Sequence, residues 1–135
     1  MKDTSSHLLK TSLLINAVFS ATSGVACLLF ADSLSPWTAI PSWILYSLGV
    51  GLLIFAADVA VTATRDPLNP LFAKIIVGSD IAWVVASVGV LIFFGAQLTL
   101  AGQLLIELVA IVVAVLATVQ AVGLRQMRDA AQATV

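Results

Sequence analysis

The sequence predicts an all-α integral membrane protein, a four-helix up-down bundle with both termini on the cytoplasmic side. Three observations predict it. Of 135 residues, 61% are hydrophobic and 10% charged, and the mean hydropathy is +1.12, whereas a soluble domain carries roughly a quarter charged residues. The apolar residues gather into four runs, each near the roughly 20 residues that cross a bilayer, within a single domain covering 1–135. All six basic residues, Lys2, Lys10, Arg65, Lys74, Arg125 and Arg128, fall on one side of the four-span arrangement, and positive charge collects on the cytoplasmic side of a membrane protein.

The first span covers about 8–31 and stops where Asp32-Ser33-Leu34-Ser35-Pro36 supplies turn chemistry. The second, about 42–64, follows Pro41. The third, about 71–95, follows a polar turn in which Asn69 reads as an N-cap and Pro70 as the first helical position. Gly95-Ala96-Gln97 is a tight hairpin into the fourth, about 98–124, and links this short make neighbouring helices antiparallel. Trp37, Trp43 and Tyr46 read as an interfacial aromatic belt at the outer end of the first hairpin. Residues 1–7 and 127–135 read as short cytoplasmic ends, with 130–135 fraying. A cleaved lipoprotein signal would place Cys27 after Gly24-Val25-Ala26. Gly24 stands where a bulky aliphatic residue is usual, and cleavage would leave an odd number of spans.

Rare residues narrow the chemistry. A lone Cys27 forms no internal disulfide or C-x-x-C pair. A lone His7 excludes a bis-histidine haem and a His-rich zinc site. No phosphate-binding glycine loop or nucleophile elbow is present. Six basic against seven acidic residues make no nucleic-acid surface. No cofactor, metal or catalytic residue is expected on these grounds. The first and third spans align without gaps at an offset of 64, matching Asn16 to Asp80, Phe19 to Trp83 and Ser23 to Ser87; that is either a parallel hairpin duplication or chance likeness between apolar helices.

What remains is polar residues inside the spans. Ser12, Asn16, Ser20, Ser23 and Cys27 form one stripe on the first helix. Ser47, Gly51, Asp58, Thr62 and Arg65 share a face of the second, and Asp80, Trp83 and Ser87 a face of the third. On the fourth, Gln103 and Glu107 continue into Ala110, Ala114, Ala117 and Ala121, small residues at helix-packing spacing. At about 1.5 Å per residue, Asn16 lies about 12 Å, Asp58 about 10 Å and Asp80 about 13 Å from the cytoplasmic ends of their helices. Glu107 falls in the outer half, and Gln120 is shallower and off the Glu107 face. An ionised acid at a helix centre costs about 2.5–3.5 kcal/mol on the insertion scale, so these acids should be partnered, hydrated or protonated. Asn16, Ser20, Ser23, Asp58, Asp80, Trp83 and Glu107 are therefore the candidate ligand- or ion-binding residues, Asp58 and Asp80 titrating as a coupled pair. The same residues serve equally as interhelical hydrogen-bond glue.

The string Leu14-Ile15-Asn16-Ala17-Val18-Phe19-Ser20, then Ser23-Gly24, with Asp80-Ile81-Ala82-Trp83-Val84 further on, resembles a group of small, uncharacterised bacterial four-transmembrane-helix proteins. The resemblance implies the fold and a bacterial inner membrane, and no activity. The size is similar to that of small multidrug transporters, but those carry an embedded glutamate in the first helix where this chain has Asn16. It is similar also to four-span glutathione-transferring enzymes, which use several arginines and tyrosines; here Arg65 and Tyr46 stand alone.

Three functions follow. The first is a non-enzymatic membrane protein binding a small ligand, proton or cation between its helices. The second is an accessory subunit packing against itself or a larger membrane complex. The third is a small membrane enzyme with an aspartate pair as acid and base, for which no supporting residues stand out. The expected partners are the lipid bilayer and either a second copy or a larger complex.

Overall fold

A computed structural model describes residues 2–65 and 68–133, with side chains from residue 7 onward. The described chain is helical, and no strand occurs among the described residues. Helix α1 runs over Lys2–Thr38, α2 over Ser42–Thr64, α3 over Pro70–Phe94 and α4 over Leu100–Ala133, with a single 3-10 turn at Gly95–Gln97 before α4. Each contains a stretch long and apolar enough to cross a membrane.

Helix α1 is packed between α2 and α4, α3 lies on α4, and α2 and α3 touch only sparsely. Close backbone approaches set these pairings. A methyl group on Gly49 would sit 2.9 Å from the Gly24 carbonyl, so α1 and α2 cross there. One on Gly123 would sit 2.9 Å from the Leu9 nitrogen, and one on Gly102 would run into the Thr38 carbonyl. The start of α1 therefore meets the end of α4, and its end meets the start of α4. Lipid tails are as apolar as leucine, so close van der Waals contact holds such helices together. An apolar cluster of Leu9, Leu13, Val59, Ala63, Leu68 and Ile76 joins α1, α2 and α3 at the end of the Arg65–Pro70 turn, with Leu124 and Met127 of α4 against it.

Three boundaries differ from the sequence expectation, the first being that α1 is already helical from Lys2, ahead of the expected start near residue 8. The Asp32–Pro36 segment does not end α1; the helix passes through Pro36 and stops at Thr38. Proline inside a helix withholds its own bond to the carbonyl four residues back, and the last carbonyls of α1 beyond it find other donors. Thr38 Oγ1 donates to Leu34 at 2.8 Å and the Ala39 amide to Ser35 at 2.8 Å. Thr99, ahead of α4, donates through its hydroxyl to Trp37 at 2.7 Å and through its amide to Thr38 at 3.3 Å. Helix α4 also continues past residue 124 to Ala133, so most of the expected polar end is helical; of the segment read as fraying, residues 134 and 135 lie outside the described residues, as do Asp66 and Pro67 of the turn. Asn69 caps α3, accepting from the Leu71 amide at 2.9 Å with Pro70 at the first turn.

The chain leaves α1 through Ala39 at φ 63°. A left-handed conformation costs a non-glycine residue about 1–2 kcal/mol. Ala39→Gly is expected to stabilise the fold by about 1 kcal/mol, read as a higher thermal midpoint in detergent.

Candidate functional site

Helices α1, α3 and α4 each bring one polar side chain to the same place. Asn16 is 1% exposed, Asp80 3% and Gln120 0%. Each sits on the packed face of its helix: Asn16 in line with Leu9, Leu13 and Ser20, Asp80 with Ala73, Ile76 and Ser87, and Gln120 with Val113, Leu116, Ala117 and Gly123.

The hydrogen bonds form a nearly closed set. Asn16 Nδ2 donates to Asp80 Oδ2 at 2.8 Å and to Gln120 Oε1 at 3.3 Å. Gln120 Nε2 donates to Asp80 Oδ2 at 2.9 Å and to the Leu116 carbonyl at 2.8 Å. Ser20 Oγ donates to Asn16 Oδ1 at 3.3 Å. Both amide groups thus spend both protons. Each amide oxygen accepts one hydrogen bond in turn, Asn16 Oδ1 from Ser20 and Gln120 Oε1 from Asn16. Two donors on one carboxylate oxygen make the set an anion cradle, stronger than neutral hydrogen bonds would be.

Two polar atoms stand outside this closure. Asp80 Oδ1 accepts no hydrogen bond from any described residue. Trp83 Nε1 is buried and donates none. They belong to residues one turn apart on one face of α3, a spacing that holds Cβ atoms about 5–6 Å from each other.

The structure brings together only part of the expected constellation. Asn16, Ser20 and Asp80 are joined by hydrogen bonds, and Trp83 follows Asp80 one turn on along α3; Ser23 is half-buried. Asp58 and Glu107 are exposed and make no side-chain contact with the cluster. The expected Asp58–Asp80 pair is therefore absent, because α2 packs through Leu45, Gly49, Ala56 and Val59 and turns Asp58 outward. The fourth helix is likewise rotated from the expectation: Ala110 and Ala117 are inside, Glu107 is outside, and Gln120 takes the central place. Glu107 accepts from no donor among the described residues, whereas the Gln120 amide gives one proton to Asp80 and another to its own helix. A glutamine four residues before the end of a long apolar run was the available signal.

No protein-family model, curated protein or solved structure matches this chain. The geometry therefore has to carry the functional reading. Among the described residues no three His, Cys, Asp or Glu side chains come together in a way that could hold a metal ion.

Proposed function

We propose that this chain is a non-enzymatic, multi-pass membrane protein that binds a proton or a small hydroxyl-bearing ligand at Asp80, between α1, α3 and α4. The observation that carries the reading is the unmatched pair, Asp80 Oδ1 as acceptor and Trp83 Nε1 as donor. A buried indole N–H without a partner is costly, and Asp80 Oδ1, an acceptor with no donor on it, is its chemical complement. A hydroxyl group can donate to the first and accept from the second; an ammonium has no acceptor for the indole N–H and a bare metal ion has none either. Water is the smallest molecule with this chemistry, and a hydrated carboxyl is also the simplest proton site inside a membrane.

The topology that goes with this reading is the up-down bundle in a bacterial inner membrane, with both termini in the cytoplasm. Its support is the gathering of Lys74, Arg125 and Arg128 around one groove, together with Arg65 over the Phe72 ring at 5.8 Å. Lys and Arg gathered at one end are the pattern of the cytoplasmic face.

Infrared difference spectra of the reconstituted protein between about pH 5 and about pH 9 test the reading. A carboxyl C=O band that changes across this range in the wild type and vanishes in Asp80→Asn is expected. A band unchanged in Asp80→Asn, or none at all, would sink it.

One observation favours the accessory-subunit reading instead. Asp58 and Glu107 point outward from apolar helices, and a methyl group on Gly51, on the Asp58 face, would meet nothing within 4 Å. A second chain against that face would cover the carboxylate. In that case the mass of the detergent-solubilised particle falls when Asp58→Asn and Glu107→Gln are introduced, with the Asp80 band unchanged.

A further inference from the structure

We infer that the groove between α3 and α4 is a binding site for one anionic phospholipid, its phosphate held by Lys74, Arg125 and Arg128 and one acyl chain lying along the apolar furrow beyond them. This site is separate from the Asp80 cluster and independent of the reading given for it.

Two adjoining hollows make up the groove. The first, about 540 Å³, has Lys74, Arg125 and Arg128 at its mouth and Val77, Leu124 and Met127 along its walls. The second, about 450 Å³, runs on between Ile81, Val84 and Val85 of α3 and Ala114 and Ala117 of α4. Ala121 and Arg125 border both, so the two are continuous. The sequence explains the shape. Alanine at 114, 117 and 121 leaves α4 narrow on this side, while the valines of α3 form the opposite wall.

Length and charge select the occupant. From Arg125 to Ala114 is about 16 Å along the helix, close to the half-thickness of a hydrocarbon core, about 15 Å. Arg125 also follows the apolar run that begins at Leu100, about 38 Å further along the helix, which sets its guanidinium at headgroup depth. The groove is therefore one leaflet deep, basic at the headgroup level and apolar below it. Basic hollows between membrane helices bind anionic headgroups. Asp129 lies 3.9 Å from Arg128, with both side chains more than 60% exposed, so solvent and salt screen that contact and it leaves Arg128 available to a phosphate. A symmetric second copy seated here would bring the same three cations against these three, which disfavours it as the occupant.

The test is native mass spectrometry of the intact chain released from nanodiscs containing equal phosphatidylglycerol and phosphatidylcholine. Wild type is expected to retain one phosphatidylglycerol. The Lys74→Gln/Arg125→Gln/Arg128→Gln variant should retain it with at least tenfold lower occupancy, since each interfacial cation contributes about fivefold. Lys10→Gln should retain it as wild type does. Ala121→Phe keeps every charge and fills the furrow, and should also lose the lipid; it guards against a triple variant that fails to fold. Equal retention of the two lipids, or phosphatidylglycerol retained in both groove variants, would overturn the assignment. So would a wild-type particle that leaves the nanodisc as a lipid-free dimer, with the Ala121→Cys variant cross-linking across it, which would make the occupant a second copy.

Discussion

Gln120→Leu is expected to destabilise the bundle by about 2–4 kcal/mol. The substitution removes one of two donors to Asp80 Oδ2 and the acceptor of the second Asn16 proton. Interhelical hydrogen bonds in membranes are worth about 0.6 kcal/mol on average and up to about 1.7, so losing both costs about 1–3 kcal/mol. The bond to the carboxylate weighs toward the upper end, because a hydrogen bond to a charged group is worth about 1.5–3 kcal/mol. Leucine fills a similar volume, so little of the effect comes from a cavity. The measurement is reversible unfolding in mixed detergent micelles. A double-mutant cycle with Asp80→Leu separates the pair from the packing: the coupling should be about 1–3 kcal/mol, with Gln120→Leu costing much less once Asp80 is gone. Additive effects would mean that the amide does not serve the carboxylate.

The second large effect lies at the other end of α4. Gly102→Ala is expected to cost about 2–4 kcal/mol, because the new methyl meets the main-chain carbonyl of Thr38 rather than a movable side chain. Overpacking of this kind costs about 1–3 kcal/mol. Moving α4 away from α1 also loosens the two Thr99 bonds to Trp37 and Thr38, at about 1 kcal/mol each. Gly51→Ala is the matched control, since its methyl meets nothing within 4 Å. Alanine favours a helix over glycine by about 1 kcal/mol, so this variant should unfold at the same or a higher detergent fraction. If both variants lost the same stability, close approach of α1 and α4 would not be what holds that end.

Much of this architecture was legible in the residues. Apolar run length placed α2 and α3 within a residue or two, and the Asn69–Pro70 pair marked the start of α3 as a cap with proline behind it. The end of α1 was not legible. Pro36 reads locally as a break, and part of what satisfies the last carbonyls beyond it comes from Thr99, more than sixty residues away. Asn16 and Asp80 stood out as rare polar residues on stripes of small ones, and they do meet. Gln120 reads from spacing as shallower and off the Glu107 face, which leaves it outside the candidate set, because the polar residues Gln103 and Glu107 suggest the wrong inner face for α4.

By itself the sequence determined that this chain is helical, that four stretches suit a bilayer, and which few polar groups those stretches carry. These are properties of local composition and length. The tertiary structure alone decided which side of each helix faces its neighbours, and so which polar groups became a site. The physical reason lies in the solvent. In water, the periodicity of apolar residues marks the buried face of a helix. In a chain that is apolar all round, the packed and lipid-facing sides are alike, and that signal is silent. What orients the helices is then fit between particular partners: Gly102 against Thr38, Gly123 against Leu9, and two amides against one carboxylate.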